Sequence, residues 1–263
     1  MLSLALSLPV PTAEAFDSMV HICCIFATIV GAITGATASS RVRMDLIGIV
    51  VCGTIVALGG GTLRDMLLSG VITQDGTPLR VYWTTPGEVQ YIWQAVITSV
   101  IIFYVTRFRA LPVGTIRVAD AFSMAFFTIL GMNKAYALGL PGVVCCIMGV
   151  CTGVAGGAMR DIITGNVPYI FRPKEVYASA SLGGCVAYLV FADLLDIHRF
   201  WAFTLGLVVT FTIRMVSVYH NWTLPSYRPL FDTVRNTDDH VTTHTPTRDC
   251  NADNASWPAE KEH

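Results

Sequence analysis

Charge is the first scarcity. Only 13% of the 263 residues are Asp, Glu, Lys or Arg, and the formal net charge is -1, so nothing in the balance fits a basic nucleic-acid surface. Metal-ligand patterns are missing as well. Of the eight cysteines, Cys23, Cys24, Cys52, Cys145, Cys146, Cys151 and Cys185 lie in apolar runs without the CxxC and His spacing of a zinc site, and so read as small apolar residues. Cys250 stands apart in a polar tail. The apolar segments contain neither a His-Glu-x-x-His pattern nor a serine with a nearby base, so the expectation is no enzyme, no metal and no cofactor; the lone His21 reads as a packed or interfacial residue. The start of the chain, Met1 to Ala15, carries the small-residue Ala13-Glu14-Ala15 segment of a signal-peptide cleavage region but lacks a basic stretch before it, and reads as an uncleaved leader to the first span.

What the chain has is apolar length. Hydrophobic residues make up 53% of it and its mean hydropathy is +0.58. They come in runs of about 20, the length a helix needs to cross a bilayer. Seven spans follow: Phe16 to Ser39, Met44 to Leu68, Val89 to Thr106, Arg117 to Leu138, Gly142 to Thr164, Lys174 to Leu194 and Arg199 to Tyr219. Between them lies turn chemistry, as in Leu140-Pro141-Gly142 and Asn166-Val167-Pro168. Residues 220–263 form a polar tail expected to be disordered. Alternate connections divide the basic residues unevenly, with Arg41, Arg43, Arg107, Arg109, Arg172, Lys174, Arg228 and Arg235 on one side and Arg80, Lys134 and Arg199 on the other. The richer side is expected in the cytoplasm, which puts the N-terminal leader (1–15) outside and the tail inside.

One heptapeptide occurs twice in altered form. Gly59-Gly60-Gly61-Thr62-Leu63-Arg64-Asp65 is echoed by Ala155-Gly156-Gly157-Ala158-Met159-Arg160-Asp161, an offset of 96 residues (161 minus 65). One span earlier, Thr28 to Gly31 matches Thr128 to Gly131 at an offset of 100. Residues 16–106 and 117–194 therefore read as two three-span repeats, with 199–219 as an extra helix. An odd number of spans per unit inverts the second copy, so the expected fold is an all-α membrane protein of two inverted repeats plus one helix.

Each copy of the motif places an Arg and an Asp inside an apolar run, where ionisable residues mark a functional pathway. The glycines are expected to break the second and fifth helices, with Thr62 and Asp65 spaced as a capping box that restarts the second. Adjacent residues on a helix point about 100° apart. That favours cross-pairing, Arg64 with Asp161 and Arg160 with Asp65, in one net-neutral cluster at the repeat interface. A structural staple is the alternative to a pathway. Asp120 reads either as a helix-start charge or as part of the pathway, Lys134 either as a snorkelling side chain or as a pore-mouth residue, and Arg214 as reaching the headgroups. Gly31/Gly35 and Gly149/Gly153 have the spacing of close helix packing.

Taken together, the GGGTLRD and GG-x-x-RD copies, the Asp120-Ala121 opening of the fourth span with its Gly131 and Lys134, and Lys174-Glu175-Val176-Tyr177-Ala178 resemble the prokaryotic trimeric intracellular cation (TRIC) channel family over Phe16 to Tyr219. The resemblance implies a homotrimer in a bacterial inner membrane, in contact with its lipids. Each protomer would carry its own pore for K+ and Na+, lined by spans one, two, four and five. Gly59, Gly60, Gly61, Arg64, Asp65, Gly156, Gly157, Arg160 and Asp161 would shape the pore, and Lys134 and Asp120 are the gating candidates. The pattern departs from its relatives at Val20, where the first span of relatives carries an Asp, and at Ser123, where Gly is common. Some relatives are described as glycine transporters, so the alternative function is secondary transport of glycine or a similar small amino acid, its carboxylate held at a half-helix N-terminus near Gly61 or Gly157.

Overall fold

The structure, a computed structural model, describes residues 12–71, 76, 78–109, 112–171 and 176–220. The leader before Thr12, the Lys174-Glu175 pair and the tail beyond His220 lie outside these residues. Seven α-helices follow one another: α1 (Ala13–Arg41), α2 (Leu46–Leu67), α3 (Gln90–Phe108), α4 (Val113–Ala137), α5 (Gly142–Ile163), α6 (Ala178–Leu189) and α7 (Arg199–His220). All but α6 are long and apolar enough to cross a bilayer, and α6 runs on through a π-helical stretch, Val190–Leu194.

Local chemistry sets the ends. Asp45 caps α2 by accepting a hydrogen bond from Gly48 N at 2.8 Å, and Thr12 caps α1 through Ala15 N at 3.3 Å. Pro112 and Pro141 precede α4 and α5, where a missing N–H costs nothing. Gly139 and Gly165, both at φ +72°, turn the chain out of those same helices in the left-handed conformation that glycine tolerates.

The two repeats pack alike. In the first, α1 lies against α2 and α3; in the second, α4 lies against α5 and α6. The repeats meet along α1 with α4 and α2 with α5, and α7 closes the outside of α4 and α6. This is the inverted three-plus-three arrangement with one added helix.

The glycine runs do not interrupt their helices. Hydrogen-bonded α-helix continues from Leu46 to Leu67 and from Gly142 to Ile163. Nor does Thr62 restart one, because its hydroxyl donates back to Leu58 O at 2.8 Å, a bond made within a helix. What the glycines provide is room for α2 to cross α5. A Cβ on Gly60 would overlap the Thr152 carbonyl oxygen, and one on Gly156 would lie 2.7 Å from the Val56 carbonyl oxygen. These contacts exchange under the 96-residue offset (56 to 152, 60 to 156), which centres the crossing on Leu58 and Val154. Gly31 and Gly35 seat α1 on α2 in the same way, with the Ala57 and Gly53 Cα atoms 3.1 and 2.9 Å from where their Cβ atoms would be.

Candidate functional site

The antiparallel crossing decides where the motif charges go. Asp65 lies seven residues beyond Leu58 and Asp161 seven beyond Val154 (65 minus 58, 161 minus 154), so each pair stands about 10 Å from the crossing and in opposite directions. The expected single cluster is therefore two clusters, at opposite ends of the bundle. Cross-pairing of Arg64 with Asp161, or of Arg160 with Asp65, does not occur. Each Arg instead folds back along its own helix: Arg64 Nε donates to Asp65 Oδ1 at 2.8 Å and Arg160 Nε to Asp161 Oδ1 at 2.9 Å. The long guanidinium arm spans the 100° between adjacent positions, which a comparison of Cβ directions alone misses.

Each Asp also reaches out of its helix. Asp65 Oδ2 accepts Tyr82 N–H at 2.9 Å, and Asp161 Oδ2 accepts Tyr169 N–H at 3.0 Å. Tyr82 and Tyr169 open short 3-10 turns, Tyr82–Thr84 and Tyr169–Phe171, in the connection after each motif helix. Each carboxylate thus ties the connection to the end of its helix. The last glycine of each run leaves space for a tyrosine: the Tyr82 ring stands 2.6 Å from a Cβ placed on Gly61, and the Tyr177 hydroxyl occupies the corresponding space at Gly157.

Helix α4 supplies the third charge at both ends. Lys134 Nζ approaches Asp65 Oδ1 and Oδ2 at 3.0 and 3.1 Å. Near the other end of α4, Asp120 Oδ1 accepts from Arg160 Nη1 at 2.5 Å. Because α4 begins at Val113, Asp120 lies in its third turn rather than at its start. Arg214 does not reach the headgroups. It is buried, with its guanidinium 4.7 Å above the Tyr177 ring and Nη1 donating to Val176 O at 3.1 Å. Arg160 lies 5.4 Å over Tyr169, which stacks on Tyr177.

The ends differ in access. At the Arg160 end, the Arg160 and Asp120 side chains are 2% and 7% exposed; at the Arg64 end, Lys134 is 29% exposed above a fully buried Asp65. A cavity of about 280 Å³ opens there, reached by Thr28 of α1, Gly61 and Arg64 of α2, Asn133 and Lys134 of α4, and Thr152 of α5. A second cavity, of about 420 Å³, lies at the opposite end, bordered by Arg41, Arg117, Arg160, Asp161 and Asn166. Between them α1 is pinched against its neighbours, where Gly31 meets Ala57, Phe127 and Ser123. The hydroxyls at the floor of the first cavity have a fixed polarity. Thr28 Oγ1 donates to Cys24 O at 2.8 Å and Thr152 Oγ1 to Met148 O at 2.6 Å, so the protons of both hydroxyls are committed to their own helices and what each has left to offer is an acceptor.

Several site residues carry no signal in the sequence. Tyr82 follows Asp65 by 17 positions and Tyr169 follows Asp161 by 8, so the matching turns do not align at any constant offset. Asn133 Oδ1 accepts from Tyr188 Oη at 3.0 Å and from Arg199 Nη2 at 3.2 Å, a junction of α4, α6 and α7 that only the packed bundle forms. Glu88, beside the Lys134 cavity, sits in a loop; burial holds its carboxyl above the ordinary value of 4.5, with Lys134 pulling the other way. The transporter reading also loses its proposed site, because Gly61 and Gly157 lie inside continuous helices near their C-terminal ends, where the dipole repels a carboxylate.

A membrane bundle of two inverted three-helix repeats, holding a polar cavity at each end of one four-helix core, is the class this architecture defines. The sequence model of the glycine transporter family matches residues 21–107 and 117–193. The chain belongs to that family, which is the family of the prokaryotic TRIC channels. It is 36% identical over 208 residues to the UPF0126 inner membrane protein YadS of Escherichia coli K12, covering 77% of this chain and 93% of that one. A UPF0126 membrane protein of Vibrio cholerae is 31% identical over 220 residues, 83% and 87% of the two chains. Among solved structures, the TRIC trimeric intracellular cation channel orthologue from Rhodobacter sphaeroides superposes with a TM-score of 0.68 at 28% identity, over 77% of this chain and 98% of the other. A further TRIC cation channel structure gives 0.67 at 28% identity, over 80% and 97%.

Proposed function

We propose that the chain is a cation channel, with ions passing through each protomer between α1, α2, α4 and α5 from one end cavity to the other. The observation that carries this reading is the fixed polarity of Thr28 and Thr152: their protons are committed to their own helices, so the cavity floor offers oxygen lone pairs to an ion shedding water. Gly59, Gly60, Gly61, Gly156 and Gly157 hold α2 and α5 close enough to line the path. Arg64–Asp65 and Arg160–Asp161 brace its two ends. Lys134 acts at one mouth as the gating residue, and Asp120 anchors Arg160 near the other.

The finer assignments are K+ and Na+ as the conducted ions, a homotrimer of independently conducting protomers, and a bacterial inner membrane with the N-terminus outside and the C-terminus cytoplasmic. Kinship with TRIC channels supports the first two, and the division of basic residues supports the orientation. Planar-bilayer recording of the purified protein in a KCl gradient tests conduction. Discrete openings that reverse near the potassium equilibrium potential are expected, with open probability changed in Lys134→Ala. A bilayer that stays silent across the voltage range, with protein that elutes as a single folded species, removes the channel reading.

A further inference from the structure

Ion pairs use up the motif carboxylates that stand at the two cavities. Asp65 is shared between Arg64 at 2.8 Å and Lys134 at 3.0 Å, and Asp161, which borders the opposite cavity, is held by Arg160 at 2.9 Å. Glu88 is the exception. It is the one carboxylate among the residues lining the cavity at the Lys134 end, and among the described residues it forms no ion pair. It belongs to neither copy of the repeated motif, so the sequence gives it no prominence.

The backbone fixes where Glu88 stands. Gly87, at φ +97°, turns the chain in a conformation that glycine tolerates. Glu88 N–H then donates to Thr85 O at 3.0 Å, and Glu88 O accepts from Tyr91 N–H at 3.1 Å, so the residue is clamped between that turn and the start of α3. The titratable and charged groups around it come from every neighbouring element: His21 and Cys24 of α1, Arg64 and Asp65 of α2, Tyr82 of the 3-10 turn, Tyr91 of α3 and Lys134 of α4. Cys24, Tyr82 and Tyr91 are uncharged near neutral pH. Arg64 and Lys134 are two cations sharing the single carboxylate of Asp65, which leaves one positive charge over. Ionised Glu88 cancels it. With Glu88 neutral, the mouth is positive and repels an approaching cation.

We propose that Glu88 determines charge selectivity at this mouth, its carboxylate tipping entry from anions to cations. This role rests on the channel function proposed for the bundle. It also makes the preference sensitive to acid from one side. Burial raises the Glu88 carboxyl above its ordinary 4.5, so the charge that favours cations is present above the elevated value and lost as pH falls through it. Acid at the other cavity has no such effect, because Asp161, the carboxylate bordering it, is already committed to Arg160.

Single-channel reversal potentials of the full chain in a KCl gradient test it. At neutral pH, Glu88→Gln should lower the K+ over Cl− permeability ratio by about tenfold, and Glu88→Asp, which keeps the charge, should hold it within about threefold of the parent. The acid arm uses His21→Gln, so that the imidazole 2.9 Å from Tyr91 Oη adds no charge of its own. Acid in one chamber should then shift the reversal potential toward that of chloride, and acid in the other should not; with Glu88→Gln added, neither chamber should matter. An unchanged reversal potential in Glu88→Gln, or a response to acid that is absent or equal from both chambers, overturns the proposal. A purely structural role for Glu88 would change the yield of folded protein or the open probability and leave the reversal potential of open channels where it was. Silence at every pH removes the channel reading and the selectivity role with it, whereas open channels with an unmoved reversal potential remove the role of Glu88 alone.

Discussion

Asp65 and Asp120 hold equivalent duties at opposite ends of the bundle, yet losing each has a different cost. Arg160 is 2% exposed, and Asp120 is the partner that reaches it from another helix. Without Asp120, Arg160 still holds Asp161 at 2.9 Å, whereas Arg64, 7% exposed, has Asp65 as its ion partner among the described residues. Stranding one member of a buried pair costs about 3–5 kcal/mol. Asp120→Asn should therefore lower the thermal midpoint in detergent moderately. Asp65→Asn takes the carboxylate from both Arg64 and Lys134, and although water reaches Lys134 it does not reach the buried Arg64, so its midpoint should fall by more. Glu88 gives a pH signature. Burial raises its pKa, so the folded state favours the protonated form, and the stability this confers is complete below the ordinary value of 4.5 and lost as pH rises through the elevated value. Glu88→Gln should match the parent in thermal midpoint near pH 4.5 and exceed it at neutral pH; equal midpoints across that range would show that the carboxyl is not held up by burial.

At the scale of the helix, the glycines separate into those that are packed and those that are not. Gly60 faces a carbonyl of α5, and overpacking at such a site costs about 1–3 kcal/mol. Gly114, in the first turn of α4, has nothing within 4 Å of its would-be Cβ, so Gly114→Ala should gain up to about 1 kcal/mol from helix propensity. Chemical or thermal unfolding of the two alanine variants should move in opposite directions. This contrast also marks what the sequence made legible. The glycine run, its repeat, the seven helices and the inversion were all readable, because they rest on apolar length and on local identity. The action of the glycines was not. Gly-Gly-Gly weakens a helix as an isolated peptide, but here α1, α3 and α5 enclose α2, and packing keeps its hydrogen bonds intact through Leu67. Partner choice was hidden for a related reason. Residue spacing along one helix says nothing about how far past the crossing the Arg-Asp pair lies, and that distance sends Arg160 to Asp120 and Lys134 to Asp65.

For the whole molecule, the inverted repeat is symmetric in its frame and asymmetric in its charges. The 100-residue offset that aligns α1 with α4 puts Val20 opposite Asp120 and Thr34 opposite Lys134 (120 minus 100, 134 minus 100), so α1 carries no charge at either place. Both unmatched charges belong to α4, one near each of its ends. A pore made of two identical halves would look the same to an ion approaching from either side, and its current would depend only on the size of the voltage. Here a single helix sets a cation at one mouth and a carboxylate near the other. If the bundle conducts as proposed, it should rectify, with unequal currents at equal and opposite voltages in symmetric KCl, and Lys134→Thr, which restores the residue found at the matching place in α1, should flatten the inequality. The largest charge difference between the two mouths is then set by one helix, and substitutions at 120 and 134 should reduce it most.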